Sequence, residues 1–241
     1  MTVQENRRWR ARHAIAGLIL FAISFGYVEA AVVVYLRTLY EPLRRPHASD
    51  GAEGELFPLI TQDRLRTQPP AISRLLPAEV GREAATLLML AGAAMAAAAE
   101  RRLWLPAFAI AFGVWDLFFY VFLKVLTGWP RSLLTWDVLF LIPVPWASPV
   151  LAPVLVSLTL IVCGVVAFQR PVHWRGVHSA GLGLAAGLIL FSFMADYRNL
   201  MAGGMPAPFG WWVFALGEAV WVAAFAHACR KRSNSPGALK R

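Results

Sequence analysis

The sequence predicts an all-α, polytopic integral membrane bundle of six transmembrane helices with both termini inside. Three observations lead there. The 241 residues are 58% hydrophobic and only 15% charged, with a mean hydropathy of +0.55. The apolar residues fall in runs long enough to cross a hydrocarbon core of about 30 Å, which takes about 20 helical residues. Finally, the charges stand at the ends of those runs, with Lys and Arg concentrated on alternate connections. A soluble chain of this length would spread its apolar residues more evenly, so a single membrane domain over residues 1–241 is expected.

Residues 1–13 form a basic cytoplasmic arm carrying Arg7, Arg8, Arg10 and Arg12 against Glu5. The first span, about Ala14 to Leu36, contains Glu29 and ends at Arg37. No small-residue cleavage site interrupts it, so it reads as a retained helix and not a removed signal peptide. Residues 38–80 are polar, proline-bearing and nearly balanced in charge, as suits an extracytoplasmic loop. Within them Leu56 to Ile60 and Ile72 to Leu76 are apolar enough to lie on the membrane surface or cap the bundle.

The second span, about Gly81 to Ala99, opens with Arg82 and Glu83 and becomes AGAAMAAAA. Small residues let helix backbones approach closely where lipid offers no gain from hydrophobic association, which predicts a central helix. After the inner turn Glu100, Arg101, Arg102, the third span runs from about Leu103 to Thr127. Asp116, Tyr120 and Lys124 follow one another at four-residue steps along it, giving a polar stripe on one face.

GWPRS, Gly128 to Ser132, turns the chain, and the segment from there to Phe168 is too long for one straight span. Pro143, Pro145, Pro149 and Pro153 each remove a backbone donor and disfavour helix at the preceding residue. A proline-broken half-helix over Ser132 to Ile142, bearing Asp137, followed by a fourth span from about Val150 to Phe168, is the expectation. Irregular backbone at membrane depth persists only where protein or a wet cavity surrounds it.

Gln169 to Val177 is a short inner loop with Arg170, His173 and Arg175. The fifth span, about His178 to Ala195, contains a GxxxG spacing, Gly183 and Gly187, and ends in Asp196, Tyr197, Arg198 and Asn199. GGMPAPFG leads to the sixth span, about Trp211 to Cys229, which contains Glu218 with no partner visible in the sequence. A basic tail, residues 230–241, follows. Arg131 and Arg198 are the only cations on the two short outer turns, whereas every inner segment carries at least two. That asymmetry sets both termini inside, and a bacterial inner (cytoplasmic) membrane is the expected location. Two sets of three helices are necessarily inverted relative to each other, although no internal repeat is apparent.

A net charge of +9 raises nucleic acid as a partner, but the cations form no stripe interleaved with stacking aromatics, so none is expected. Anionic lipids at the cytoplasmic face explain the charge instead. Cys163 and Cys229 make no disulfide framework. HExxH, GxxxxGK[ST] and CxxC motifs are absent, as is a nucleophile setting for Ser or Cys. His13, His178 and His227 fall at inner span ends. They would be the set for a bis-histidine haem, but interfacial histidines need no haem, and none is predicted. Trp129, Trp136, Trp146, Trp211 and Trp212 fall near the outer boundary, where indoles anchor, with Trp115 and Trp221 deeper.

Counting along the spans places five carboxylates in the outer half: Glu29, Glu83, Asp116, Asp137 and Asp196, with Lys124, Arg82, Arg131 and Arg198 as counter-charges. A charge in hydrocarbon costs roughly 2.5–3.5 kcal/mol on insertion scales, so these residues should face the interior. The expected binding set is Glu29, Glu83, Asp116, Tyr120, Lys124, Asp137, Asp196 and Arg198. The five carboxylates would be the ligands if a divalent cation binds. Three functions compete. The first is a transporter or permease-like protein with an outward-facing acidic pocket for a cation, proton or small polar solute. The second is an embedded enzyme acting on lipid or isoprenoid head groups, and the third is a structural or assembly subunit, as a homo-oligomer or in a larger membrane complex.

Overall fold

A computed structural model describes residues 2–40, 75–170, 172–202 and 206–230. Most of the outer loop read from the sequence (41–74) and the basic tail beyond Arg230 lie outside the described residues. Seven α-helices, one 3-10 turn (Arg101–Leu103) and one hairpin are described: α1 Val3–Tyr40, α2 Leu75–Ala97, α3 Trp104–Thr127, β1 Trp136–Phe140, β2 Trp146–Pro149, α4 Leu151–Gln169, α5 Gly176–Met194, α6 Tyr197–Met201 and α7 Trp211–Arg230. The helices make up six segments long and apolar enough to cross a membrane, the short α6 continuing α5 in the fifth, Gly176–Met201.

α1 is longer than the span read from the sequence, because the basic arm continues the helix. Thr2 and Glu5 form a capping box: the Thr2 N–H donates to Glu5 Oε2 at 2.6 Å and the Glu5 N–H to Thr2 Oγ1 at 3.2 Å. No proline follows until after Tyr40, and 38 residues extend about 57 Å, well beyond a bilayer core. α3 stops where Gly128 adopts φ 73°, and its N–H reaches the Lys124 carbonyl. That left-handed position closes the helix, as glycine does most readily.

The half-helix expected over Ser132 to Ile142 is instead a β-hairpin. β1 pairs antiparallel with β2, Asp137 opposite Ser148 and Phe140 opposite Trp146, with an irregularity between Val138 and Phe140. Trp136, Val138 and Phe140 favour strand, and the four prolines sit where they cost nothing: Pro143 and Pro145 in the turn, Pro149 at the strand end, Pro153 in the first turn of α4. The Ile142–Pro143 and Trp129–Pro130 peptide bonds are cis.

The hairpin lies on the side of the bundle where α3 ends and α4 begins, here named the hairpin end; the opposite side is the far end. α3, and not the alanine-rich α2, is central. It packs on α1, α2 and α4, and it buries the largest share of its residues among the six spans. The alanines of α2 permit close approach but supply little volume to bury, and Leu88, Met89 and Met95 face outward. α3 instead offers Ile110, Val114, Trp115 and Leu123, packed with Leu18, Ala22, Phe25 and Val33 of α1. A β-carbon on Gly113 would meet the Ser157 carbonyl at 2.6 Å, and one on Gly164 the Pro106 carbonyl at 2.9 Å, so these two glycines set the α3–α4 approach. Gly183 and Gly187, the expected packing pair, have open space beside them; Gly217 is the close contact between α5 and α7. That pair of helices joins the rest through Ala152, Phe193 and Phe214 and through the ring of Trp146.

Candidate functional site

Four of the carboxylates read from the sequence divide into two groups joined by the hairpin, and three of the expected binding residues, Lys124, Asp196 and Arg198, stand apart. In the first group Glu29, 4% exposed, accepts from Arg82 Nη1 and from Thr86 Oγ1, the latter at 2.5 Å. Arg82 also donates Nε to Glu79 at 2.9 Å. α1 therefore locks onto α2 through one ion pair and one hydroxyl. Glu83, the next residue, turns to the hairpin, where its Oε2 accepts the Leu141 N–H at 2.8 Å. Leu141 has just left β1, so its donor has no strand partner, and Glu83 satisfies it inside the protein.

The second group is built on α3. Asp116 is 8% exposed and lies roughly 16 Å along the helix from Thr127, near mid-membrane. Its Oδ2 accepts from Ser157 Oγ of α4 at 2.8 Å. Among the described residues no ion pair reaches Asp116, and its other oxygen makes no hydrogen bond. One turn on, Tyr120 donates its hydroxyl to Asp137 Oδ2 at 2.9 Å, while Asp137 Oδ1 accepts the Val138 N–H at 2.9 Å. Asp116 and Asp137 are close enough for their charges to act on each other. Asp137 sits on the hairpin outside the six helices, and burial pushes its carboxyl up, to about 6. The Tyr120 hydroxyl, the Arg37 guanidinium and the Val138 N–H pull in the other direction. Arg37 also lies over the Trp129 ring, 4.5 Å from its centroid.

Lys124 does not join this group. Its ammonium donates to the Gly128 and Pro130 carbonyls, each at 2.8 Å, closing the end of α3. The stripe drifts because eight residues advance about 80° beyond two full turns, carrying Lys124 round the helix from Asp116. Asp196 is also elsewhere: it accepts from Asn199 Nδ2 at 3.0 Å and the Ala207 N–H at 2.7 Å, holding the turn after α5. Arg198 is exposed and lies against Tyr197. Among the described residues no three His, Cys, Asp or Glu side chains are placed to hold a metal ion, so the five carboxylates are not one coordination sphere.

No protein-family model, curated protein or solved structure matches this chain. The geometry alone carries the reading. Around the two groups lies an aromatic wall, Phe112, Trp115, Phe140 and Trp146, with neighbouring ring centroids 5.2–6.5 Å apart. Among the described residues the indole N–H groups of Trp115, Trp129 and Trp146 are buried without a hydrogen-bond partner.

Thr86, Ser157 and Arg37 complete the groups, and sequence reading did not single out any of them as a binding residue. Each is one polar side chain at a span face, and only the neighbour that it meets gives it meaning. Glu218 likewise has a partner on another helix: Thr159 Oγ1 of α4 donates to it at 2.7 Å. Cys163 and Cys229 are both free.

Proposed function

We propose that this protein is a transporter or permease-like membrane protein in which Asp116, Tyr120 and Asp137 form a proton- or cation-binding couple beside the hairpin. The observation that carries the reading is Asp116 itself: a carboxylate near mid-membrane, 8% exposed, held by one serine hydroxyl and by no cation among the described residues. An ionised group in that position costs several kcal/mol unless it is neutralised, so it carries a proton or receives a cation. Tyr120, one turn further along α3, donates its hydroxyl to Asp137. The hairpin is a non-helical element packed beside these carboxylates, of the kind that lines solute sites in transporters built on interrupted helices.

On this reading the hairpin end faces outward. Arg10, Arg12, Arg101, Arg102, Arg170, Arg175 and Arg230 are exposed at the far end, as befits a cytoplasmic surface on anionic lipid in a bacterial inner membrane. The Glu29–Arg82 pair favours a second, architectural role for part of the cluster, because a carboxylate already neutralised by arginine is poorly placed to bind a solute cation. The head-group enzyme reading finds less support. Glu83 reaches the hairpin at Leu141, four residues and about 13 Å of strand from Asp137, and Asp196 is committed to its own turn.

The test is flux in proteoliposomes loaded with a pH-sensitive dye, across a panel of monovalent cations and small polar solutes. Asp116→Asn is expected to abolish a solute-dependent pH change that Glu29→Gln reduces less. A panel in which wild type and Asp116→Asn give identical traces for every solute removes the basis of the proposal.

A further inference from the structure

At the far end of the molecule, opposite the hairpin, His178 and His227 meet ring to ring. His178 stands in the first turn of α5 and is 2% exposed; His227 is in the last turn of α7 and is exposed. Their rings lie 65° apart with centroids at 5.1 Å, and His178 Nε2 is 2.9 Å from His227 Nδ1. His178 Nδ1 is 3.1 Å from the backbone nitrogen of Arg175, the residue that caps α5.

These contacts fix the tautomers. The Arg175 N–H can only donate, so His178 Nδ1 is an acceptor and the ring proton is on Nε2. That Nε2–H donates to His227 Nδ1, which leaves the proton of His227 on its own Nε2, toward solvent. With the protons so placed, His178 Nδ1, His178 Nε2 and His227 Nδ1 are all in use. We propose that His178 and His227 form a proton-binding switch that ties the start of α5 to the end of α7 when neutral and releases one contact when it takes up a proton. The proposal does not rest on the Asp116 site.

The consequence follows from counting donors. A proton added to His227 Nδ1 sets that N–H against the His178 Nε2–H. The cross-helix bond then survives only if His178 moves its own proton to Nδ1, which sets it against the Arg175 N–H. A proton added to His178 goes to Nδ1 directly, with the same result. One proton therefore removes either the tie between α5 and α7 or the cap on α5. The other charged and titratable groups around the pair are Arg175 at the cap of α5, Cys229 and Arg230 on the last turn of α7, Arg170 and His173 on the preceding loop, and Cys163 of α4 near Cys229; Glu218, also on α7, is committed to Thr159 further along the helix. Among the described residues no carboxylate pairs with either ring, so no counter-charge holds an imidazolium in place. A resident metal fits poorly, because a metal on His178 Nε2 would displace the proton that Arg175 requires there; metal-bound histidines instead donate their second N–H.

The experiment uses the full chain in lipid nanodiscs. With ¹⁵N-histidine labelling, nuclear magnetic resonance at pH 8 should show both rings as Nε2–H tautomers. Hydrogen exchange, corrected for its intrinsic pH dependence, should then report the first turn of α5 and the last turn of α7 opening more readily at pH 5 than at pH 8. Histidine changes charge within this range. Loss of one hydrogen bond corresponds to roughly two- to tenfold faster opening. His227→Asn places a non-titrating acceptor near Nδ1, so the last turn of α7 should lose its pH dependence while keeping the slow exchange of pH 8, and any pH dependence left should be confined to the cap of α5 that His178 itself holds. Exchange that does not change between pH 5 and 8, exchange that slows at pH 5, a pH dependence of the last turn of α7 that persists in His227→Asn, or an Nδ1–H tautomer on His178 at pH 8 would each overturn the proposal.

Discussion

Removing the cation that faces Glu29 should be among the most damaging single changes at the hairpin end. Arg82→Ala leaves Glu29, 4% exposed, with Thr86 alone. Breaking a buried ion pair by deleting one partner costs about 3–5 kcal/mol, chiefly from the stranded charge. The Arg82 side chain is 26% exposed, so water softens the loss and the low end, about 3 kcal/mol, is expected. For a chain of this size that corresponds to a fall in melting temperature of roughly 6–12 °C. Adding Glu29→Gln to Arg82→Ala removes the stranded charge while keeping an acceptor for Thr86, so the double variant should recover all but about 1 kcal/mol. Thermal unfolding of the nanodisc-held protein, followed by tryptophan fluorescence, measures both. A double variant no more stable than Arg82→Ala would show that the stranded carboxylate is not the source of the loss, and an unaffected Arg82→Ala would show that the pair contributes nothing.

Gly113→Ala should lower the melting temperature by an amount corresponding to about 1–3 kcal/mol, because its β-carbon meets the Ser157 carbonyl, whereas Gly183→Ala should shift stability by less than about 0.5 kcal/mol; one unfolding series tests both. Burial pushes the Asp137 carboxyl up to about 6, above the ordinary aspartate value near 3.9. Its contribution to stability is therefore fully present below about pH 4 and fades as pH rises through about 6. Hydrogen exchange of residues 136–149 between pH 4 and 7 should show the hairpin loosening as pH rises, and Asp137→Asn should remove that trend. Tyr120→Phe removes the hydroxyl donated to Asp137 and should destabilise by about 1–3 kcal/mol, read in the same unfolding series.

The six spans were legible because hydropathy and length act over twenty residues at a time, so errors at single positions average out. Trp104 to Thr127 and Trp211 to Arg230 fall almost where the apolar runs placed them. The extended start of α1 was less visible, since four arginines disguise a helix whose cap depends on Thr2 and Glu5. The hairpin was half legible: four prolines announce a break but do not say what replaces the helix. The alternation of Trp136, Val138 and Phe140 covers only one short strand, which periodicity alone separates poorly from a helix. α3 was not seen as the central helix because alanine content reports how near two backbones can come, while burial is decided by how much side-chain volume faces the neighbours.

Within the site, position along each helix was readable and partnership was not. Counting along helices placed Glu29, Glu83, Asp116 and Asp137 in one half of the bundle, and their contacts join α1, α2, α3, α4 and the hairpin there. Which side chain meets which depends on helix rotation, and that is set by packing at Gly113, Gly164 and the α1–α3 seam. Lys124 shows the limit: within the right helix and near the right depth, it turns to the carbonyls that end α3. The pairing of His178 with His227 crosses 49 residues of sequence and has no local signature.

The measurement closest to the central claim is the infrared carboxyl spectrum of the nanodisc-held protein during a pH titration, compared between wild type and Asp116→Asn. A protonated-carboxyl band that responds to pH or to added solute in wild type and is missing in Asp116→Asn is the expected result. A spectrum unchanged by the substitution, with no response to pH or solute assignable to Asp116, would contradict an exchangeable proton or cation at the centre of this bundle.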